Sequence, residues 1–172
     1  MKKVICCPAS YLPDVLDPEA HYFILYSHSS SINPNVGHIA PRLLSDIRRK
    51  GLNPSVEVVD FTTFALSVVA ADEAVLRSLS ADGWTRTIEL HIYIQHRDIW
   101  RTKHAELELM LRFLTGDFWT LHFLESEAIT FQPNQRYKID AGDSVCLLSG
   151  GVDSLVGAID LMTIGKKPIL VS

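Results

Sequence analysis

Long hydrophobic runs are missing from this 172-residue sequence. No apolar stretch approaches the ~20 residues that a membrane-spanning helix needs. The N-terminal apolar run from Val4 to Cys7 is too short for the hydrophobic region of a signal peptide. We therefore expect a cytoplasmic protein without a membrane partner.

Cysteine is scarce, and charge of either sign is spread evenly. The three cysteines, Cys6, Cys7 and Cys146, include no Cys-x-x-Cys pair, so we expect reduced thiols and no cysteine metal site. The formal net charge is −4, with no acidic or basic tail and no low-complexity tract. This balance excludes a protein that coats nucleic acid and argues against direct nucleic-acid binding.

Strand and helix patterns alternate through residues 1–125. The clearest strand is Thr85–Ile94, in which apolar and polar residues alternate. Because one face of each strand is polar, we expect an α+β domain whose sheet is covered by helices on one side, rather than a doubly wound sheet. The remaining patterns predict strands over His21–His28, Val56–Val59 and Phe118–Leu124, helices over Pro41–Lys50, Phe64–Leu79 and Ile99–Leu114, and a loop over Ser29–Asn35.

A second region follows a polar connector at residues 126–143. Ser144–Leu148 is a continuous apolar run, which is typical of a strand buried in a parallel sheet. Leu155–Ile164 has helical spacing, and Pro168–Val171 is a further apolar strand. Residues 144–172 therefore predict one βαβ unit of an α/β, Rossmann-like domain. Such a sheet needs several units, so we expect a truncated domain without enzymatic activity by itself.

The residues that point to chemistry lie where the first strand of this unit meets its helix. Ser149-Gly150-Gly151 forms the turn, and Val152-Asp153-Ser154 begins the helix. Paired glycines allow close approach of the backbone to a ligand, and the N–H groups of a helix N-terminus attract anions. Asp153 is suited to cap the helix, to hold Mg²⁺, or to do both.

Other nucleotide and nucleophile motifs do not fit this loop. It has no lysine, which excludes a Walker P-loop, and its adjacent glycines exclude the GxGxxG fingerprint. No GxSxG nucleophile elbow is present either. The sequence SGGVDS at residues 149–154 instead resembles the signature SGGxDS of the PP-loop ATP-pyrophosphatases.

That resemblance implies a reaction and a set of ligands. Enzymes of this family cleave ATP between the α and β phosphates, transfer AMP to a carboxylate or carbonyl oxygen, and release pyrophosphate. A nucleophile then displaces AMP. The resemblance implies that Asp153 is catalytic and binds Mg²⁺, and that Ser172 lies near the adenine. It places the pyrophosphate of ATP against Ser149, Gly150, Gly151, Val152, Asp153 and Ser154.

Within the family, the longer segment CLLSGGVDSLVGAIDL is most similar to the QueC-like branch, the 7-cyano-7-deazaguanine synthases. The stretches DGWTR and FLTGDFW resemble the QueC-like proteins of Qat anti-phage systems. These similarities imply a small carboxylate of the 7-deazaguanine type as substrate and a partner protein from a defence operon. Two alternatives stay open: another PP-loop amidotransferase or tRNA-thiolating enzyme, and a partner-binding module with a vestigial loop.

Histidines and ion pairs outside the loop are weaker evidence of a functional site. His91 and His122 fall on the polar faces of predicted strands, and no histidine pair has metal-binding spacing on a predicted helix. A structural role is therefore the expectation for them. Asp72 and Arg86 are expected to form an internal ion pair.

Overall fold

The structure is a computed structural model that describes residues 1–27, 36–131 and 142–172. It divides into two compact units, residues 1–134 and residues 135–172. The predicted loop Ser29–Asn35 and most of the predicted connector lie outside the described residues. Within the described ranges, no helix is both long enough and apolar enough to cross a bilayer.

The first unit alternates strands with helices along the chain. Its strands are β1 (Lys2–Cys7), β2 (Ala20–Leu25), β3 (Val36–Ile39), β4 (Thr87–Ile94) and β5 (Phe118–Glu125). Its helices are α1 (Leu43–Arg49), α2 (Val56–Ala74), α3 (Arg97–Thr102) and α4 (His104–Thr115).

In the described part of this unit, the five strands form one sheet in the order β3-β2-β1-β4-β5. Every neighbouring pair runs parallel. The expected α+β class is therefore wrong for this unit, which is an α/β fold. The prediction was wrong because alternating polarity is typical of an antiparallel sheet with one face in solvent. This sheet is parallel, but its strands alternate as well, because helices cover its second face less than its first.

The hydrophobic core lies on one face of the sheet. Helix α2 contacts β4, while α3 and α4 contact β5. The expected covering of one face by helices is thus confirmed. On the other face, Tyr11 from the β1–β2 connection packs on Tyr93 with ring centroids 4.8 Å apart. The Asp17 N–H also donates to the Tyr22 hydroxyl at 3.1 Å.

Three local predictions need correction. Val56–Val59 is the first turn of α2 and not a strand, since Val59 and Phe64 together contribute to the buried side of one helix. The predicted helix Ile99–Leu114 is divided into α3 and α4 around Lys103. The predicted helix Phe64–Leu79 is the later part of α2, which ends at Ala74, and Arg77–Leu79 form a separate 3-10 turn. Strands β1 and β3 were not predicted, because β1 has only four consecutive apolar residues and β3 (VGHI) is neither alternating nor continuously apolar.

The second unit contains β6 (Ser144–Leu147), α5 (Val152–Thr163) and β7 (Pro168–Val171). The two strands pair in parallel, so the predicted strand–helix–strand order is confirmed. The Cys146 thiol lies 3.9 Å from the Ser154 carbonyl oxygen, which places Cys146 on the sheet face toward α5. Alternation then directs Val145 and Leu147 to the opposite face, where both are exposed.

Candidate functional site

The predicted nucleotide loop joins β6 to α5 in the second unit. Gly150 has a φ of 81°, a left-handed conformation that glycine adopts at little cost. A Cβ atom built on Gly150 would meet no heavy atom within 4 Å. Gly151 is the N-cap of α5 and has an extended backbone. The loop therefore leaves open space beside the paired glycines and at the start of the helix.

Polar groups of the loop surround this space. The Ser154 hydroxyl donates to the Gly151 carbonyl at 2.8 Å and lies 3.4 Å from the Ser149 hydroxyl. No side chain of the described residues caps α5, and Asp153 in its first turn is exposed. The first N–H groups of an α-helix have no partner within the helix, and the helix dipole makes this end positive. The arrangement is able to accept an anion.

Ser172 lies at the same edge of the two-stranded sheet as the loop. Leu147 is the register partner of Val171, and the Leu148 N–H donates to the Val171 carbonyl at 2.6 Å. Ser149 and Ser172 each follow the carboxyl end of one of these two parallel strands. In open parallel sheets this is the edge at which ligands bind.

Lys166 and Lys167 lie at the other edge of this two-stranded sheet. The Lys167 N–H donates to the Asp143 carboxylate at 2.9 Å, and the Lys166 ammonium lies 3.9 Å from the same carboxylate. Residues 142–172 contain no other lysine or arginine.

In the first unit, the predicted pairing of Asp72 with Arg86 is confirmed by a direct contact between the two side chains. Arg86 also donates from Nη1 to the carbonyls of Asp72 and Val75, both at 2.8 Å. Its guanidinium further contacts the buried carboxylate of Asp117. Because protein acceptors occupy these donors, the cluster is structural and ties the end of α2 to the sheet.

The pKa of Asp117 results from two opposing effects. Burial disfavours the charged form and by itself raises the pKa of the carboxyl group. The hydrogen bonds and positive charge of Arg86 outweigh that effect, so the pKa of Asp117 lies below its ordinary value. Asp117 is therefore a buried carboxylate at neutral pH.

The sheet brings His91 and His122 together on the face opposite the helices. They are register partners in β4 and β5, and their rings stack with centroids 4.5 Å apart and an interplanar angle of 29°. The Glu89 Oε1 atom lies 2.7 Å from His91 Nε2 and 3.4 Å from His122 Nε2. Two imidazoles thus point one nitrogen each at a single carboxylate oxygen.

The charge state of this group follows from its surroundings. The hydrogen bond with His91 is the main cause that lowers the pKa of Glu89 below its ordinary value. Burial is the main cause that lowers the pKa of His91. At neutral pH the group therefore pairs a carboxylate with a neutral His91 imidazole.

The prediction that His91 and His122 lie on the polar faces of strands is confirmed. The sequence did not predict that Glu89 lies beside both of them. The sequence did place Glu89 and His91 two residues apart on one predicted strand and His122 at the middle of the next predicted strand. This spacing indicates a cluster only once the two strands are known to be parallel neighbours.

Comparisons with family models, curated proteins and solved structures find no match to this chain. The class that the structure itself defines is an α/β protein with a parallel five-stranded sheet in its first unit.

Proposed function

We propose that the loop at residues 149–154 binds the phosphate groups of ATP together with Mg²⁺. The observation that carries this proposal is the coincidence of the sequence SGGVDS with a strand-to-helix turn in which Gly150 has a positive φ. Either feature alone is common. Together they place glycines, hydroxyls and a carboxylate around the N-terminus of a 12-residue helix.

Each residue of the loop has a separate role in this proposal. The glycines let the phosphate oxygens approach the backbone, and the N–H groups of the first turn of α5 donate to them. Ser149 and Ser154 add hydroxyl donors. Asp153 holds Mg²⁺, which neutralises phosphate charge when bound. This last role matters because Lys166 and Lys167 lie at the opposite edge of the two-stranded sheet.

By its resemblance to the PP-loop ATP-pyrophosphatases, the protein is proposed to take part in adenylation. A substrate carboxylate oxygen attacks the α phosphate of ATP, the bond to the β phosphate breaks, and pyrophosphate leaves. A nucleophile then displaces AMP from the acyl adenylate. A 7-deazaguanine carboxylate as substrate is proposed from the similarity of residues 146–161 to the QueC-like branch. A role in anti-phage defence is proposed from the stretches DGWTR at residues 82–86 and FLTGDFW at residues 113–119.

The binding step can be tested on the 172-residue chain by titrating the ¹⁵N-labelled protein with Mg²⁺ and a non-hydrolysable ATP analogue. We expect amide shifts centred on residues 149–154 and reaching Ser172. Asp153→Ala should weaken binding about tenfold or more, because a metal ligand is lost. The matched control is Asp160→Ala, which removes an exposed aspartate farther along α5 and should leave binding unchanged.

Two results would contradict the proposal. One is a titration that leaves the amides of residues 149–154 in place while the protein is folded. The other is equal weakening by Asp153→Ala and Asp160→Ala, which would indicate a general effect of charge on α5. The adenylation step is tested separately by exchange of labelled pyrophosphate into ATP, with and without candidate carboxylates, on a protein that carries a complete nucleotide-binding domain, because residues 144–172 by themselves are expected to be inactive.

A further inference from the structure

Glu89, His91 and His122 form a compact set of potential metal ligands in the first unit. One ligand atom from each lies within 4.8 Å of the other two. Glu89 and His91 come from alternate positions of β4, and His122 comes from the adjacent position of β5. The backbone of two neighbouring parallel strands, the internal strand β4 and the edge strand β5, therefore fixes where all three side chains begin.

The ligand types suit a borderline divalent ion. Imidazole nitrogen and carboxylate oxygen are ordinary ligands of Zn²⁺, with bonds of about 2.0–2.2 Å. Tetrahedral geometry with such bonds separates ligand atoms by about 3.3–3.5 Å. Glu89 Oε1 and His122 Nε2 are already 3.4 Å apart. The shorter 2.7 Å contact from Glu89 to His91 requires a small side-chain rotation to admit the ion.

The set is also open on one side. The Glu89 and His91 side chains are mostly buried, whereas 43% of the His122 side chain is exposed. Three protein ligands with an accessible fourth position are the arrangement of zinc sites that bind water or substrate, rather than of closed structural sites.

Two features oppose metal binding. The first is Lys3, the register partner of Glu89 on β1, which adds positive charge near the group. The second is the existing hydrogen bond between Glu89 and His91, which already satisfies both groups. Neither feature blocks the site, because the lysine ammonium ends a flexible chain and a metal ion replaces the proton in the hydrogen bond.

We propose that Glu89, His91 and His122 bind one Zn²⁺-class divalent ion through one carboxylate oxygen and two imidazole nitrogens, with the fourth position open to water or to a ligand. This site lies within the first unit and is independent of the nucleotide loop. A hydrogen-bonded polar cluster without metal affinity is the competing interpretation.

The test is calorimetric titration of the chelator-treated chain with Zn²⁺, followed by the absorption spectrum with Co²⁺. We expect one equivalent bound and Co²⁺ bands of a four-coordinate nitrogen and oxygen site. His122→Ala and His91→Ala should each lower affinity by at least the roughly 10–100-fold that the loss of a group next to a metal ligand costs, because each removes a ligand itself. The matched control is His104→Ala, since His104 is exposed and its ring contacts the Arg101 carbonyl.

Circular dichroism of each metal-free variant shows whether it is folded, and the exposed His122 is the safer position for substitution. Loss of binding in folded His122→Ala but not in His104→Ala supports the site. Absence of binding to the folded wild-type chain overturns it. Binding that survives His122→Ala and disappears with Cys146→Ser also overturns it, because the ion would then sit on a thiolate.

Discussion

The fully buried Asp117 carboxylate accepts hydrogen bonds from the backbone N–H of Arg86 at 2.9 Å and from its Nε and Nη2 atoms at 3.1 and 2.6 Å. Arg77 adds a further contact at 2.9 Å. The pair joins the turn before β5 to the residue before β4, next to the end of α2. Its charges are thus mutually compensated in a place where water cannot compensate them.

Removal of Asp117 should strongly destabilise the first unit. Asp117→Ala leaves the Arg86 guanidinium buried without its main partner, and breaking such a pair costs about 3–5 kcal/mol. Urea unfolding measures the loss. The control is Asp46→Ala, which breaks an exposed pair with Arg49 and should cost about 1 kcal/mol or less. Equal unfolding midpoints for the two variants would contradict this prediction.

The same carboxylate should make stability depend on acid pH. Because the pKa of Asp117 is lower in the folded state than in the unfolded chain, its contribution is complete above the ordinary aspartate pKa of about 4. The contribution is lost as the pH falls through the folded-state pKa, because the unfolded chain takes up the proton first. Urea midpoints at neutral and acid pH should diverge more for the wild type than for Asp117→Asn. Parallel pH profiles would show that Asp117 is not responsible.

Two glycines of the second unit should respond to alanine in opposite directions. Gly150→Ala forces a non-glycine residue to a φ of 81° and should cost about 1–2 kcal/mol. Gly157 lies within α5, and a Cβ atom there meets no heavy atom within 4 Å. Gly157→Ala should therefore stabilise the helix by about 0.5–1 kcal/mol. Hydrogen exchange of the α5 amides measures both effects, and changes of the same sign would be inconsistent with this backbone geometry.

The three cysteines should differ in reactivity. Burial raises the pKa of Cys6 to about 12 and that of Cys7 to about 11, and the thiolate is the reactive form. We expect a thiol reagent at neutral pH to modify Cys146 of the folded protein first. Unfolding in denaturant should expose all three. Rapid labelling that persists in Cys146→Ser would show that the N-terminal strand opens readily.

The sheet of the second unit should promote self-association. On its face away from α5, Val145 is 66% exposed and Leu147 is 73% exposed, and contiguous exposed apolar surface favours association. Sedimentation at increasing protein concentration should detect it. Leu147→Thr should reduce association more than Leu79→Thr, which alters an equally exposed leucine in the first unit. A monomer at all concentrations, or equal effects of the two changes, would contradict this view.

Local patterns in the sequence were sufficient for the elements with a clear period. Alternation predicted β4 and β5, and helical spacing up to Leu114 predicted the end of α4 to within one residue. Gly116, with a φ of 76°, forms the C-terminal cap of α4. The strand predicted over Val56–Val59 is wrong because tertiary packing outweighs the local preference of these residues. Their β-branched side chains favour a strand, but they belong to a longer helix that packs against the sheet.

The sequence by itself determined the β6–loop–α5–β7 order and the residues of the loop, because turn glycines, helix starts and apolar strands are encoded by neighbouring residues. Only the tertiary structure decided that the first unit is parallel and that His91 lies beside His122. Alternating polarity specifies which face a side chain occupies, but not which strand lies next to it or in which direction that strand runs. The neighbour and the direction of each strand depend on how the connecting helices pack over the whole sheet. Contacts between residues so far apart in the chain leave no periodic pattern in the sequence.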